Sequence, residues 1–478
     1  MPPQTPNSVT GENITGGTPR HVVAMPYPGR GHINPMMNLC KTIATRATPD
    51  TLIITFVLTE EWTALIGEPP DLPSLRLRSI PNVIPSEVNR AADFAGFLRA
   101  VYSKMEGPFE RLLEGLELEA PVAAIVADTY LPWAVAVGNR RNIPVVSLWT
   151  MSPSVFSVLY HFDLLEKKGH FPADLSERGD EIVDYIPGLS PTRLADFPTF
   201  FSGVGRQVLG LALEAFVWVK RAQGLIFTSF YELEPRIIDA LKSTLPFSPI
   251  YSVGPLIPHN ALANATTHST TNCNTKNDHV DYFKWLDSYP RSSVLYVSLG
   301  SFLSVSKEQM DEIIAGVHES GVPFLWVARG DAKQVQKACG EKGLVVPWCD
   351  QLRVLCHDSV GGFWTHCGWN STLEGVFAGV PMLTFPIFYD QVPDRKLIVD
   401  DWKIGRKVMG AGEVVKREEI ASIVKEFMDL EGEGSREMRR RAGELSESCR
   451  RALAEDGSSE ADVNAFFREF LRSGSSSQ

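Results

Sequence analysis

Short apolar runs alternate with helical patterns along most of the chain, and no other feature restricts the fold as strongly. This alternation is typical of parallel β-sheets wound with helices, because each inner strand is buried on both faces and each crossover is a helix. In the first half the runs lie at residues 21–25, 52–58, 75–80, 122–127, 144–148 and 225–227. In the second half they lie at residues 294–298, 324–327, 344–346, 360–365 and 382–385. The sequence therefore predicts an α/β protein made of two doubly wound halves.

The length of the chain and one proline-rich stretch predict where the halves divide. A chain of 478 residues exceeds what one hydrophobic core usually serves. We predict an N-terminal domain over residues 21–245, an interdomain linker over 246–260 and a C-terminal domain over 261–458. Within the last, the polar residues 261–280 predict an exposed loop. Residues 1–20 lack the basic start and apolar run of a secretory signal, so they predict a flexible N-terminal tail.

The composition excludes several partners and settings. A formal net charge of -11 and an acidic isoelectric point near 5.5 argue against nucleic acid or an anionic membrane as a partner. No apolar run reaches the ~18 residues of a membrane-spanning helix. The seven cysteines include no CxxC pair, which favours free thiols in a reducing compartment and predicts a cytoplasmic protein. Ligand spacing of the zinc type is absent, so no metal site is expected.

The stretch from Trp348 to Gln391 carries most of the functional information. A strand-like run at 360–365 is followed by the turn 366–370, and a helical pattern begins again at Ser371. A helix start presents unpaired N–H groups and the positive end of the helix dipole, which together bind anions. The indole of Trp348 offers a flat face on which a nucleobase can stack, at roughly 1–3 kcal/mol per base. Phosphate and base together indicate a nucleotide.

The same residues also have a purely structural interpretation. Ser371 followed three residues later by Glu374 is the pattern of an ordinary capping box, which binds no ligand. A tryptophan such as Trp348 is also commonly part of the core or of its edge. A capping box requires neither an upstream indole nor the downstream Asp390–Gln391 pair, and this combination favours the nucleotide.

The stretch resembles the signature box of plant family 1 UDP-glycosyltransferases, which runs from a Trp to a Gln over the same span and includes the internal HCGWNS and the closing DQ. The resemblance implies a GT-B fold, in which two Rossmann-like domains face a cleft. It implies that the first domain binds the acceptor and the second binds UDP-sugar. It also implies that residues 459–478 form a helix that returns to the first domain, followed by a tail.

The resemblance also implies a role for each matching position in this box. Those roles are uracil stacking for Trp348, a backbone contact to the uracil edge for Cys349, ribose binding for Gln351 and Glu374, diphosphate binding for His366, Asn370 and Ser371, pocket shaping for Gly368 and Trp369, and sugar binding for Asp390 and Gln391. A terminal Gln in the box implies glucose as the donor sugar.

A second candidate site follows the first predicted strand. The loop begins with Gly29-Arg30-Gly31, but Asn34 stands where a dinucleotide-binding fingerprint needs its third glycine. His32 in this loop is suited to take a proton from a hydroxyl, since the unperturbed pKa of histidine is about 6.5. Asp128, at the end of the run 122–127, can orient such a base, although an Asp there is also a common helix cap.

The resemblance extends to this N-terminal site. It implies that His32 is the catalytic base and Asp128 its acidic partner, that Thr150 contacts the sugar, and that Ser301 contacts a phosphate. Arg30 departs from the family, in which many members carry Gln before the Gly-His pair. An added cation there either favours an acidic acceptor or points to solvent.

Together these features predict a metal-independent, inverting transfer of glucose from UDP-glucose to a hydroxyl or carboxyl group. The acceptor is expected to be a small lipophilic molecule, such as a phenolic, flavonoid, terpenoid or hormone, and the product a β-glucoside. No cofactor beyond the UDP-glucose co-substrate is expected. Two alternatives are a silent relative that binds a UDP-sugar or hormone as a sensor, and a nicotinamide oxidoreductase. The acceptor pocket is predicted to be lined by loops at 149–160 and 185–201, although Phe197, Phe200 and Phe201 of the second loop are equally compatible with the core.

Overall fold

The computed structural model describes residues 19–68, 71–245, 249–259, 262, 281–300, 305–328, 335–336, 340, 342–408 and 414–471. The predicted loop over 261–280, apart from Leu262, lies outside the described residues. Residues 1–18 of the predicted N-terminal tail and residues 472–478 also lie outside them. So does Ser301, the predicted phosphate contact.

The first half forms one parallel sheet of seven strands in the order β3-β2-β1-β4-β5-β8-β9. A separate two-stranded hairpin, β6–β7, lies between the fifth and sixth of these strands in sequence. The bounds are β1 Arg20–Met25, β2 Leu52–Thr59, β3 Leu75–Ile80, β4 Val122–Asp128, β5 Val145–Trp149, β6 Ile182–Val183, β7 Thr192–Arg193, β8 Gly224–Phe227 and β9 Ile250–Ser252.

Helices cover both faces of this sheet. Their bounds are Arg30–Ala44, Glu60–Ile66, Phe94–Lys104, Glu106–Glu119, Pro132–Arg141, Pro153–Tyr160, Phe162–Lys167, Leu175–Arg178, Gly203–Val219 and Pro235–Thr244. Side chains of β1 alternate between two cores, because successive residues of a strand point to opposite faces. Val23 and Met25 join one hydrophobic cluster, whereas Val22 and Ala24 join the other. Burial on both faces explains why the strand is apolar from Val22 to Met25.

The second half repeats the design with six parallel strands in the order β12-β11-β10-β13-β14-β15. The bounds are β10 Val294–Ser298, β11 Phe324–Val327, β12 Gly343–Val346, β13 Val360–Thr365, β14 Met382–Thr384 and β15 Gly405–Lys407. The helices are Tyr282–Asp287, Lys307–Ser320, Gln351–Leu355, Trp369–Ala378, Gln391–Lys396, Arg417–Met428, Glu433–Leu453 and Ser458–Phe466. Val294 and Tyr296 of β10 face one core and Leu295 and Val297 the other. The α/β prediction is thus confirmed.

Strand β9 corrects the predicted linker over 246–260. Ile250–Ser252 pairs in parallel with β8 and forms the edge of the first sheet, so these residues belong to the first domain. The strand has only three residues and directly follows Pro249 in a proline-rich stretch, so the sequence did not predict it. Strand β15 was also not predicted, because Gly405–Lys407 is short and polar, as edge strands often are.

The last described residues pack on the first domain. The rings of Phe466 and Phe470 lie 5.7 and 6.5 Å from that of Tyr251 in β9. Arg46, just after the first helix, pairs with Glu460 at 2.6 Å between Nη2 and Oε2. The end of the chain therefore crosses back from the second domain to the first. Among the described helices, none has the length and apolar character needed to cross a bilayer.

Candidate active site

A cavity of about 490 Å³ lies between the two domains. Its walls come from the segments that follow β1, β4 and β5 in the first sheet and β10, β12, β13 and β14 in the second. These are the carboxyl ends of parallel strands, where open α/β sheets bind their ligands. The cavity brings together the predicted catalytic base and the predicted donor-binding residues that the structure describes, which are all of them except Ser301.

His32 and Asp128 form a direct pair in the first-domain wall. His32 Nδ1 lies 2.7 Å from Asp128 Oδ2, and Asp128 Oδ1 accepts a hydrogen bond from the Tyr130 backbone N–H at 2.9 Å. The carboxylate is almost fully buried, whereas one fifth of the imidazole is exposed. A proton held on Nδ1 by the carboxylate leaves Nε2 as the basic nitrogen. The capping alternative for Asp128 is wrong, since the next helix begins at Pro132 with Leu131 as its cap.

Thr150 lies against the same imidazole. Its hydroxyl oxygen is 2.9 Å from His32 Nδ1, so two oxygens flank this nitrogen. The sequence predicted a sugar contact for Thr150, whereas its contact with the histidine was not foreseen. The rings of Tyr27 and Tyr130 also flank His32, with centroids 4.8 and 6.4 Å away. Neither tyrosine was predicted as a site residue. Each lies two residues after the end of a strand, and this position was the only sequence feature that could have indicated a place in the site.

On the opposite wall, Trp348 presents its indole to the cavity. The side chain is 55% exposed, whereas Trp369 in the same box is only 2% exposed and belongs to the core of the second domain. Cys349 is buried, and its sulfur lies 3.4 Å from the hydroxyl of Tyr296. Trp348 is therefore available for stacking, and the core alternative for it is wrong.

A hydrogen-bonded network follows the indole. Gln351 donates from Nε2 to Ser371 Oγ at 2.9 Å and to Glu374 Oε2 at 2.5 Å, and accepts from the Tyr296 hydroxyl at 3.1 Å. Burial raises the pKa of Glu374 to about 7. The capping-box alternative is wrong: the helix begins at Trp369, Gly368 caps it without a side chain, and Ser371 is the third helical residue.

His366 is held between two glycines. A Cβ atom on Gly300 would lie 2.8 Å from His366 Nε2, and one on Gly368 would lie 2.5 Å from it, so neither position has room for a side chain. Gly300 also has a φ of +85°, which favours glycine. Burial lowers the pKa of His366 to about 4. The ring is therefore neutral at pH 7 and can offer a hydrogen bond but no charge.

Asn370 links the two domains. Its Nδ2 donates to the carbonyl oxygen of Gly31 at 2.8 Å. Gly31 and His32 lie in the first turn of the helix Arg30–Ala44, and not in the loop that the sequence predicted. The sequence predicted a diphosphate contact for Asn370. Since an amide nitrogen carries two hydrogens, one remains for a ligand.

Asp390 and Gln391 lie where the second domain meets the first. Gln391 Oε1 accepts from the backbone N–H groups of Ile387 and Phe388 at 2.8 and 3.0 Å. These bonds fix the oxygen and leave the amide nitrogen as the donor. Desolvation raises the pKa of Asp390. Both side chains line the cavity with the remaining residues of the box.

The apolar part of the cavity differs from the prediction. Of the loop 149–160, Thr150 and Met151 line the cavity, but no described residue of 185–201 does. Phe197 and Phe200 are buried in the core, which was the second interpretation of these residues. The apolar walls come from two helices, Phe94–Lys104 and Gly203–Val219, whose side chains face the cavity. Their helical period was visible in the sequence, but which face would line a cleft was not.

Two doubly wound domains that enclose a polar turn, an exposed indole and a facing His–Asp pair define a glycosyltransferase of the GT-B fold. The chain belongs to the plant family 1 UDP-glycosyltransferases. A family model described as UDP-glucoronosyl and UDP-glucosyl transferase matches residues 119–431. UDP-glycosyltransferase 87A2 of Arabidopsis thaliana is 52% identical over 453 residues, which cover 94% of this chain and 96% of the relative. UDP-glycosyltransferase 87A1 of the same plant is 50% identical over 453 residues, which cover 94% of this chain and 100% of the relative.

Solved structures agree with this membership. The Medicago truncatula UGT71G1, crystallised with UDP-glucose, superposes with a TM-score of 0.81 at 25% identity, over 95% of this chain and 98% of that one. The Phytolacca americana UGT2, complexed with UDP-2fluoro-glucose and pterostilbene, superposes with a TM-score of 0.79 at 27% identity, over 94% of this chain and 99% of that one. The predicted GT-B fold is confirmed, and the protein is a UDP-glycosyltransferase. The oxidoreductase is therefore excluded.

Proposed function

We propose that this UDP-glycosyltransferase transfers glucose from UDP-glucose to a hydroxyl or carboxyl group of a small lipophilic acceptor and inverts the anomeric configuration. The observation that carries the proposal is the His32–Asp128 pair, which faces the donor residues across one cavity. A base on the wall opposite the donor suits attack from the face opposite the leaving group.

The donor side supports a UDP-sugar held along its length. Trp348 stacks on uracil, and Gln351 with Glu374 binds the ribose hydroxyls. His366, Asn370 and Ser371 surround the helix start that takes the diphosphate. The amide of Gln391 and the carboxylate of Asp390 reach the sugar. The UDP-glucose bound by the Medicago truncatula relative supports glucose as the donor.

The reaction follows from this placement. The acceptor oxygen attacks the anomeric carbon, its proton moves to His32 Nε2, and the bond from that carbon to the phosphate oxygen breaks. UDP leaves with the bonding electrons, and the product is a β-glucoside. Asp128 stabilises the imidazolium that forms. General base catalysis contributes about 10²- to 10⁴-fold, so positioning and stabilisation of the departing UDP supply the rest.

The proposal includes independence from a divalent metal. The helix start at Trp369 and the donors of His366, Asn370 and Ser371 supply the stabilisation of the leaving diphosphate. Activity is therefore expected to survive EDTA. Loss of turnover in EDTA that magnesium restores would contradict this part of the proposal.

The acceptor is proposed to be flat and lipophilic. Phe94, Leu98, Met151, Val208 and Phe388 line the chamber beside His32, and such walls bind apolar rings. The pterostilbene bound by the Phytolacca americana relative is of this kind. Arg30 lies at the exposed rim of the cavity, 5.8 Å from the Trp62 ring, and leaves both an acidic acceptor and a solvent-facing role open. The cytoplasmic location stays a prediction.

The deciding experiment combines donor and acceptor panels with mass detection. UDP-glucose, UDP-galactose and UDP-glucuronic acid are each offered with phenols, flavonoids, terpenoids and hormone acids. We expect the wild-type protein to transfer glucose from UDP-glucose and to give a product that NMR shows to be β-linked. We expect the His32→Ala variant to transfer no glucose to alcohols. An α-linked product, or preference for another donor, would refute the proposal.

A further inference from the structure

A short segment of the second domain is embedded in the first. Tyr389 belongs to the main hydrophobic core of the first domain, although it lies between β14 and β15 of the second sheet. The Phe388 ring meets that of Phe94 edge to face with centroids 5.8 Å apart. The Tyr389 backbone N–H donates to Thr199 Oγ1 at 2.9 Å. The two residues before Asp390 and Gln391 are therefore held by the acceptor domain.

A buried ion pair fixes the helix that follows. Arg395 of the helix Gln391–Lys396 donates through Nη2 to Asp196 Oδ1, and the side chains are only 9% and 4% exposed. Asp196 also accepts from Arg193 Nε at 2.8 Å and Nη2 at 3.2 Å. Removing either partner of such a buried pair leaves the other charge without its partner, so the contact is specific in geometry.

A second contact lies one residue further along. Lys396 Nζ binds Asp401 at 2.8 Å and also contacts the Ser190 hydroxyl. The Ser190 hydroxyl itself lies 3.0 Å from Asp401 Oδ2. Residues 190–199 of the first domain thus bind residues 389–401 of the second at three places. This is the loop that the sequence assigned to the acceptor pocket, and the structure gives it contacts with the donor side instead.

Gln391 is the first residue of the helix that carries Arg395, one turn away. Its backbone belongs to this helix, whereas its Oε1 accepts from the backbone N–H groups of Ile387 and Phe388, which lie just before the helix. A shift of the helix therefore shifts the donor group offered to the sugar.

We propose that Asp196 and Arg395 are positioning residues for the donor sugar, through which the acceptor domain holds the Gln391 amide in place. This inference rests on the proposed function, in which Gln391 binds the glucose moiety. Uracil, ribose and diphosphate bind residues 348–374, which the ion pair does not touch. Its loss should weaken binding of UDP-glucose but not of UDP.

The test compares these two ligands by titration calorimetry. Asp196→Asn and Arg395→Met are each expected to raise the dissociation constant of UDP-glucose at least tenfold while that of UDP changes less than twofold. The double variant should be no worse than the poorer single variant, because both remove the same pair. Glu460→Gln, which breaks the Arg46 ion pair far from Gln391, is the matched control and should change neither constant.

A milder variant covers the case in which the ion-pair variants do not fold. Thr199→Val removes the hydroxyl that accepts the hydrogen bond from the Tyr389 N–H. It should raise the dissociation constant of UDP-glucose several-fold and leave that of UDP nearly unchanged. Equal weakening of UDP and UDP-glucose, or no change in either, overturns the positioning role. If the wild type neither binds nor turns over UDP-glucose, the proposed function fails first and this inference fails with it.

Discussion

Replacing Asp128 with Asn tests the base mechanism most directly. The Tyr130 backbone N–H needs the acceptor that Asp128 Oδ1 provides at 2.9 Å, so the amide oxygen of Asn should keep that place. The amide nitrogen then faces His32 Nδ1, where the carboxylate oxygen lay at 2.7 Å. A donor there forces the His32 proton onto Nε2, and the nitrogen that faces the acceptor can no longer take a proton.

The expected loss is nearly the whole contribution of the base. General base catalysis is worth about 10²- to 10⁴-fold, or about 3–5 kcal/mol of transition-state free energy, and Asp128→Asn should remove most of it from kcat toward alcohols. Asp128→Ala should lose less than Asp128→Asn, because Thr150 can then accept the Nδ1 proton at 2.9 Å and keep the productive tautomer. The dissociation constant of UDP-glucose should change less than twofold.

The assay measures initial rates with a phenol and with a carboxylic acid of similar shape. The carboxylate is ionised at neutral pH and needs no proton removal, so it should retain much more of its wild-type rate in Asp128→Asn. An Asp128→Asn variant with more than a tenth of wild-type activity on the phenol would refute the reasoning. So would an Asp128→Ala variant slower than Asp128→Asn, or equal losses on both acceptors.

Three further predictions concern single residues. Trp348→Ala should weaken UDP binding by about 1–3 kcal/mol at unchanged melting temperature, by calorimetry and thermal denaturation, because a half-exposed indole stabilises the ligand and not the core. Gly368→Ala should weaken UDP binding about tenfold, because the new Cβ would lie 2.5 Å from His366 Nε2 and displace the ring; unchanged binding would contradict this. Burial raises the pKa of Glu234 to about 7, so the folded state holds an extra proton between the unfolded pKa near 4.3 and 7; the stability contributed by the protonated form is fully present below pH 4.3 and is lost as pH rises from 4.3 to 7. Glu234→Gln should therefore raise stability by about 1–3 kcal/mol at pH 8 and leave it unchanged at pH 4, and the reverse order would refute the assignment.

The strands of the two sheets could largely be predicted from the sequence because most are buried on both faces. The strand Val360–Thr365 is buried at every position and apolar up to its last residue, and polar turns bound it, so the sequence predicts it clearly. Strands β9 and β15 were not predicted. Each lies at the edge of its sheet, where a strand is less strongly required to be apolar, and each has only three residues, which is too few to show an alternating pattern. Tertiary pairing, and not local sequence, makes them strands.

The donor side could be anticipated because its residues are close in sequence and follow one strand–turn–helix pattern. The acceptor side could not, because Phe94 and Val208 meet only when two distant helices face the same cleft. The contact of Thr150 with His32 spans 118 residues and left no trace in spacing. Periodicity shows which face of a helix is apolar, but not whether that face meets core or ligand.

The distance between base and leaving group is set by neither domain alone. His32 belongs to the first domain and His366 to the second, and each is held rigidly by its own surroundings. Two hydrogen bonds join the domains between them: Asn370 to Gly31, at the proposed phosphate end of the donor site, and Tyr389 to Thr199, at its proposed sugar end. Because Asn370 keeps a second amide hydrogen, it can bind a phosphate and, at the same time, the first turn of the helix that carries His32. A bound diphosphate would then strengthen the contact that aligns His32 with the anomeric carbon, so binding energy from the nucleotide serves the positioning of the base.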